Sequence, residues 1–181
     1  MLNKIIDKII SISSGIIALD GESGSGKTTL AKKIKEEFKN DITVVSTDSF
    51  LPGNTKLKYP PIRLNVDNLL SFLNDYLKGL ENVSYIEYDC KLNMDTTKQI
   101  KRTRYLLIEG CYSISKYFID YYDLTFFLES PSNIEERRDA KGNDFNQRYH
   151  LLWESDWLEY TKNENPKSKA DVVINYENNK E

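Results

Sequence analysis

Cysteine is scarce in this chain of 181 residues, with two copies, and histidine occurs once. Cys90 and Cys111 have neither the spacing of metal ligands nor that of a Cys-x-x-Cys motif, so we expect reduced, partly buried thiols in a cytoplasmic protein. A basic excess is also missing, because the formal net charge is −3. Nucleic-acid-binding proteins normally carry such an excess, and we therefore expect no nucleic-acid partner.

A long apolar run is missing as well. The most apolar stretch lies near the N-terminus, where Asp7 and Lys8 interrupt a series of isoleucines. It is too short to span a membrane, and no small-residue cleavage site follows, so we predict an amphipathic helix over residues 3–12 and no membrane partner. The length favours one domain over residues 1–181, with no internal repeat and no linker that would divide it.

The segment Gly21 to Thr28 reads Gly-Glu-Ser-Gly-Ser-Gly-Lys-Thr and fits the pattern Gly-x-x-x-x-Gly-Lys-Ser/Thr. An apolar run over residues 15–20 predicts a buried strand before it, and helical spacing follows from Lys27 to Lys39. In this context backbone N–H groups and a helix N-terminus can cradle phosphates. We call Gly21–Thr28 the phosphate loop. The residues predicted to bind a nucleotide are Gly21, Glu22, Ser23, Gly24, Ser25, Gly26, Lys27, Thr28 and Thr29.

The last two residues of this segment are the ones expected to bind charged groups. Lys27 would neutralise the β- and γ-phosphates of ATP or another nucleoside triphosphate, and the Thr28 hydroxyl would hold Mg²⁺. An ordinary glycine-rich turn between strand and helix would not need lysine and threonine together at the helix start.

Two acids follow apolar runs that predict buried strands. Asp48 comes after residues 42–45, and Glu109 ends residues 104–110. Ligands of open α/β sheets bind at the carboxyl ends of the strands, so both acids are expected at the phosphate site. Asp48 would accept the proton of a substrate hydroxyl or contact the metal, although a turn-forming role is the alternative. Glu109 would complete a metal site with Thr28 and Asp48.

The rest of the chain yields further expectations. A loop over residues 51–63 precedes a helix that ends at Gly79 and that Asp67 or Asn68 would cap. We also predict a short strand or hairpin arm over 83–88, a mobile loop over 89–102, a short helix over 113–121 and a strand over 123–129. The last elements are a helix over 151–160, a polar linker over 161–169 and a strand over 170–175.

Residues 132–150 are densely charged and include Arg137, Arg138 and Arg148. In a phosphotransferase such a segment is typical of a helical lid that closes guanidinium groups on the moving phosphoryl group. The alternative is a solvated helix face with ion pairs between neighbouring turns.

Taken in order, these motifs resemble the uridine kinase and phosphoribulokinase group of P-loop kinases over nearly the whole chain. The phosphate loop is similar to the family's, and Ser46-Thr47-Asp48-Ser49-Phe50 is similar to its Ser-x-Asp-x-Phe-Tyr motif. The later matching segments are Asn65-Val66-Asp67, Tyr88-Asp89, Glu109-Gly110, Arg137-Arg138-Asp139 and Ala170 to Ile174.

The resemblance implies a P-loop α/β/α fold with a five-stranded parallel sheet and a small helical lid. It implies Asp48, Lys27, Arg137 and Arg138 as catalytic residues. It also implies a substrate site formed by Asp48, Asp67, Tyr88, Glu109, Tyr112 and Arg148. A nucleoside is the favoured acceptor. Leu51, Asn68-Leu69 and Asn93 differ from the family pattern at nucleobase contacts, so a riboside vitamin or another small alcohol stays open as well.

The expected function is ATP-dependent phosphorylation of a hydroxyl on a small metabolite. A P-loop ATPase or GTPase switch, or a nucleotide-binding protein with no small acceptor, is the alternative. No Asn-Lys-x-Asp guanine motif and no transporter-type glycine signature occur in the sequence. The sequence does not indicate whether the protein is a monomer or an oligomer.

Overall fold

A computed structural model describes residues 2–52, 63–89 and 94–175. Short 3₁₀ turns connect several of its helices and strands. In chain order these elements are α1 (Leu2–Ser11), β1 (Gly15–Gly21), α2 (Lys27–Phe38), β2 (Ile42–Ser46), α3 (Val66–Leu77), β3 (Asn82–Asp89), β4 (Met94–Lys101), β5 (Tyr105–Glu109), β6 (Leu124–Leu128), α4 (Ile134–Asp139), α5 (Phe145–Leu152), α6 (Glu154–Glu164), α7 (Pro166–Lys169) and β7 (Val172–Ile174).

Five of the strands form one parallel sheet in the order β2-β5-β1-β6-β7. The apolar runs of β1, β5 and β6 are buried almost throughout, as expected for parallel strands covered on both faces. The predicted α/β class and the five-stranded parallel sheet are therefore confirmed.

Alternate residues of β1 point into two separate cores. Ile17 and Leu19 pack with Ile5 and Ile9 of α1 and with the buried face of α2. Ile16 and Ala18 face the other side of the sheet, where α3 and α6 supply the core residues; these include Leu69, Phe72, Leu73, Trp157 and Tyr160. This period-two alternation produces the three layers of the fold.

The topology brings several strand ends to one edge. In the parallel register Glu109 of β5 lies beside Leu19 of β1 and Ser46 of β2. The chain then turns at Gly110, which has φ +142°, and a Cβ there would lie 1.9 Å from Thr47 Oγ1. Only glycine allows the segment after β5 to pass this close to the segment after β2.

Several sequence-based expectations differ from the structure. Residues 94–101 of the predicted mobile loop form β4, which pairs antiparallel with β3 in a hairpin. The predicted helix over 113–121 is a series of turns with a 3₁₀ helix at Ile119–Tyr121. Most of the predicted loop over 51–63 lies outside the described residues.

The helix boundaries also need correction. Asn65, not Asp67 or Asn68, caps α3, because its side chain accepts from the Asn68 N–H at 3.1 Å. The helix predicted over 151–160 is split at Trp153 between α5 and α6, and α6 and α7 occupy the predicted polar linker. In the described parts of the chain, no helix combines the length and the apolar character that a membrane span requires.

Candidate active site

The phosphate loop connects β1 to α2 and encloses the Lys27 side chain. Gly24 and Gly26 have φ values of +95° and +107°, which favour glycine. Lys27 is 7% exposed and its Nζ donates to the Glu22 carbonyl at 2.9 Å. The loop thus positions a cation at its centre before any anion binds.

A cavity of about 480 Å³ opens above this loop, and we call it the phosphate cavity. Its wall combines loop residues with the ends of β2 and β5 and with one side of α4. The lining residues are Ser23, Gly24, Gly26, Lys27, Thr28, Thr29, Ser46, Asp48, Glu109, Gly110, Cys111, Arg137 and Lys141. The cavity therefore holds both acids that the sequence assigned to the site, together with Lys27.

Glu109 and Thr28 meet on the floor of this cavity. The Thr28 hydroxyl donates to Glu109 Oε1 at 3.2 Å, and Glu109 is 4% exposed. Burial raises the pKa of the Glu109 carboxyl, Lys27 counteracts the rise, and the nearby charge of Asp48 adds to it. A buried carboxylate beside a hydroxyl and a second acid is an oxygen-donor set that fits Mg²⁺.

Asp48 lies in the 3₁₀ turn Thr47–Phe50 directly after β2. The Ser46 side chain caps this turn by accepting from the Asp48 N–H at 3.3 Å. The Asp48 side chain is exposed and lines the phosphate cavity. Such a carboxylate is accessible to a second molecule that enters from the open side.

A second cavity of about 260 Å³ adjoins the first, and we call it the aromatic pocket. Rings from α5, α6 and the segment after β5 supply most of its wall. The lining residues are Ser23, Asp48, Leu51, Arg63, Cys111, Tyr112, Phe145, Tyr149, Trp153 and Trp157. Ser23, Asp48 and Cys111 line both cavities, so the two spaces adjoin along these three residues.

Three cationic residues of the 132–150 segment have different environments. The guanidinium of Arg137 donates to the Ser25 carbonyl at 3.0 Å, and Arg137 lines the phosphate cavity. Lys141 also lines it; burial and the charge of Lys27 lower the pKa of its ammonium group. Arg138 is 1% exposed and instead forms ion pairs with Glu22 and Glu135 behind the loop.

Asp20 supports the site from below. Its carboxylate accepts from the N–H groups of Gly21 at 2.6 Å, Tyr112 at 3.1 Å and Ile114 at 3.0 Å, and from the Tyr160 hydroxyl at 2.6 Å. Complete burial raises the pKa of Asp20, and these hydrogen bonds oppose the rise. One side chain thereby connects the phosphate loop to the segment that carries Tyr112 and to α6.

The remaining predicted site residues lie outside the two cavity walls. Gly21, Glu22 and Ser25 belong to the phosphate loop but sit behind its lining surface. Asp67 is exposed in the first turn of α3, and Tyr88 is half-buried in β3. Arg148 is exposed, with its guanidinium carbon 5.7 Å from the Trp153 ring centroid. Asn93 lies outside the described residues.

Sequence reasoning missed several cavity residues. Lys141 received no individual role, and Phe145, Tyr149, Trp153 and Trp157 were not recognised as one pocket wall. Phe145 and Tyr149 lie four residues apart on α5 and so share one helix face, but the break at Trp153 places Trp157 on a different helix, α6, which the four-residue spacing does not reveal. Asp20 and Cys111 gave no sequence signal, since their positions depend on contacts between distant segments.

Comparisons with known proteins concern the sequence and the overall fold. A family model described as the NB-ARC domain matches residues 1–44, the part that contains the phosphate loop. A structure titled as a possible uridine kinase from Bacillus stearothermophilus superposes with a TM-score of 0.76 at 22% identity and covers 96% of both chains. Curated uridine kinases match as well, at 31% identity for Ureaplasma parvum and 28% for Bacillus subtilis.

In sequence this chain is similar to uridine kinases. The Ureaplasma parvum alignment covers 65% of this chain and 63% of the relative's length, which is less than two thirds. The Bacillus subtilis alignment covers 74% of this chain and 68% of the relative, and a Borrelia garinii uridine kinase aligns at 27% identity over 88% of this chain. The overall fold is shared with the Bacillus stearothermophilus structure.

Proposed function

We propose that this uridine kinase-like chain transfers the γ-phosphoryl group of ATP to a hydroxyl of a small metabolite. The observation that supports this most is the position of Asp48, which lines both the phosphate cavity and the aromatic pocket. A phosphoryl donor in the first and an acceptor in the second would meet at one carboxylate. A switch ATPase would have no use for a second cavity at that point.

In this proposal the acceptor oxygen forms the new bond to the γ-phosphorus, and the bond from that phosphorus to the bridging oxygen of ADP breaks. Asp48 takes the proton of the attacking hydroxyl. The phosphate loop amides and Lys27 hold the β- and γ-phosphates in line, while Arg137 and Lys141 offset the charge on the transferring group. Catalysis consists mainly of positioning and charge neutralisation.

Mg²⁺ is part of the proposal because the donor atoms suit it. Thr28, Glu109 and Asp48 would hold the ion directly or through water, and the ion would supply charge neutralisation on the phosphates. The raised pKa of Glu109 fits such a role, because burial disfavours the ionised carboxylate and a nearby cation would stabilise it.

The acceptor that suits the aromatic pocket carries a flat ring. Tyr112, Tyr149, Trp153 and Trp157 offer ring faces and edges, and a nucleoside has both a ring to stack and hydroxyls to reach Asp48. The uridine kinases among the relatives make uridine the first acceptor to test. A cytoplasmic location, where thiols stay reduced, suits the free Cys111.

We further propose that residues 1–181 work as one P-loop kinase domain, with the segment over about 132–150 as its lid. The lid would carry Arg137 and Lys141 toward the phosphates and place Phe145 and Tyr149 against the acceptor.

The test is ADP release in the presence of Mg·ATP and a panel of nucleosides, sugars and small alcohols. A kinase releases ADP in step with phosphorylated acceptor, and one panel member stimulates the rate strongly. ADP release that no acceptor stimulates, or that yields only inorganic phosphate, would contradict the proposal in favour of a simple ATPase.

A further inference from the structure

Arg138 and Glu22 form a partly buried ion pair that joins two parts of the site; the Arg138 side chain is 1% exposed and the Glu22 side chain 20%. Each of the three guanidinium nitrogens of Arg138 donates a hydrogen bond. Nε donates to the Ser23 carbonyl at 2.9 Å, one terminal nitrogen to Glu135 at 2.9 Å and the other to Glu22 Oε1. The Arg138 side chain is 1% exposed, and all three nitrogens bond to protein groups. Arg138 does not line the phosphate cavity.

Glu22 collects contacts from three later elements. Besides Arg138 of α4, its carboxylate accepts from the Tyr149 hydroxyl of α5 at 2.7 Å and from Ser130 at 2.5 Å. Its backbone carbonyl accepts from Lys27 Nζ at 2.9 Å. The same residue therefore holds the catalytic-site lysine on one side and the helices of the 132–150 segment on the other.

The Tyr149 ring completes the cluster. The guanidinium carbon of Arg138 lies 3.6 Å from the ring centroid, which is a close cation–π contact. Tyr149 also lines the aromatic pocket, and Ser23 lines both cavities. One guanidinium thus fixes a wall of the aromatic pocket and the backbone of the phosphate loop.

Helix α4 also packs directly on the phosphate loop. A Cβ at Gly24 would lie 3.0 Å from Arg138 Cγ and 3.3 Å from Ile134 Cγ1. A side chain at Gly24 would press on Arg138 and Ile134, so helix and loop backbone are in close contact here and a shift of Arg138 would be transmitted to the loop.

We infer that Glu22, Arg138 and Tyr149 form a latch that fixes the aromatic pocket relative to the phosphate loop, with Arg138 a positioning residue and not a phosphate ligand. This assignment replaces the sequence-based expectation that Arg138 contacts the moving phosphoryl group. The consequence for turnover rests on the proposed function, but the latch itself is a property of the protein without ligands.

The first experiment needs no nucleotide. The chain has two tryptophans, Trp153 and Trp157, and both line the aromatic pocket. Loss of the latch loosens α5, so acrylamide quenching of tryptophan fluorescence is expected to rise roughly twofold in Glu22→Gln and in Arg138→Met. Glu136→Gln, which changes an exposed carboxylate on α4, is the matched control and leaves quenching unchanged.

The double variant Glu22→Gln/Arg138→Met separates a latch from two independent effects. The effects of two substitutions that remove the same interaction do not add. Acrylamide is therefore expected to quench the fluorescence of the double variant no more than that of the more strongly quenched single variant. If Arg138→Met does not fold, as judged by circular dichroism, Tyr149→Phe replaces it because it removes one hydroxyl only. Wild-type quenching in Glu22→Gln and in the foldable partner variant, or additive effects, would overturn the latch.

The kinetic readout distinguishes positioning from phosphate contact. Latch variants are expected to raise the acceptor KM and to lower kcat/KM by roughly 10- to 100-fold, since small misplacements are costly. Arg138→Lys keeps the positive charge but loses the planar guanidinium and its several N–H donors. It is therefore expected to show the same loss of kcat/KM as Arg138→Met. A pure kcat loss that Arg138→Lys rescues, with unchanged quenching, would instead make Arg138 a phosphate ligand. If the wild-type protein phosphorylates no acceptor, the proposed function is overturned. The quenching experiment then still tests whether the latch exists, because it needs no nucleotide.

Discussion

The Thr28 hydroxyl donates to the Glu109 carboxylate at 3.2 Å, so the first turn of α2 and the last residue of β5 meet on the floor of the phosphate cavity. This contact connects residues 81 positions apart in the sequence. It gives the clearest indication of where a divalent cation would bind.

Glu109→Gln is expected to weaken Mg²⁺ binding without unfolding the protein. The amide keeps the side-chain volume but lacks the charge that would balance the ion. The apparent Mg²⁺ affinity, measured from the rate of ADP release against Mg²⁺ concentration, should fall by roughly 10- to 100-fold. Glu81→Gln, at an exposed carboxylate just before β3, is the control, and equal Mg²⁺ curves for Glu109→Gln and wild type would refute the metal role.

The raised pKa of Glu109 also predicts a pH dependence of stability. The folded protein holds this proton to higher pH than the unfolded chain, so the metal-free protein should lose stability as pH rises above about 4.5 and through the folded-state pKa. Asp20 contributes with the same sign, because burial raises its pKa too. Urea unfolding should show a smaller loss over this pH range in Glu109→Gln. An identical slope in both proteins would show that Glu109 titrates normally.

Asp20→Asn tests the support beneath the site. An amide nitrogen would replace one acceptor oxygen, so a buried N–H of Gly21, Tyr112 or Ile114 would lose its partner. The free energy of unfolding is expected to fall by about 1–3 kcal/mol. For a chain of this size each kcal/mol corresponds to roughly 2–4 °C in Tm, which calorimetry resolves. Asp123→Asn, whose carboxylate accepts only one N–H, from Ile16, in the described structure, should cost less.

Trp153→Leu tests whether the aromatic pocket holds the acceptor. Stacking on an aromatic side chain contributes about 1–3 kcal/mol, so the acceptor KM should rise roughly 5- to 100-fold. The KM for ATP should stay near the wild-type value, because Trp153 does not line the phosphate cavity. Tyr117→Leu, at an exposed ring elsewhere, is the control. An acceptor KM unaffected by Trp153→Leu would place the acceptor outside this pocket.

The central strands and the phosphate loop could be predicted because they depend on local patterns. Gly15–Gly21 and Tyr105–Glu109 are short apolar runs followed by turn residues, a pattern that can be read from the local sequence. The hairpin strand Met94–Lys101 could not be recognised in the same way. Its side chains are mostly exposed on both faces, so its sequence shows no alternation of apolar and polar residues.

The side chains behind the phosphate loop depend on tertiary contacts. Nothing in the order of residues indicates that Glu22 would bind Arg138, because the pair joins positions 116 apart. The identity of Arg137 as the cavity-lining arginine depends on which face of α4 meets the loop, and a six-residue helix has too weak a period to show that face. Sequence placed both arginines near the site without distinguishing their roles.

Asp48→Asn tests the proposed reaction most directly, with nucleotide binding and turnover measured on the same preparation. Because Asp48 is exposed between the two cavities, the amide should fold normally and bind a non-hydrolysable ATP analogue nearly as wild type does. Loss of the general base should lower kcat by roughly 10²- to 10⁴-fold. Phosphorylation of the acceptor at the wild-type rate by Asp48→Asn would contradict the account.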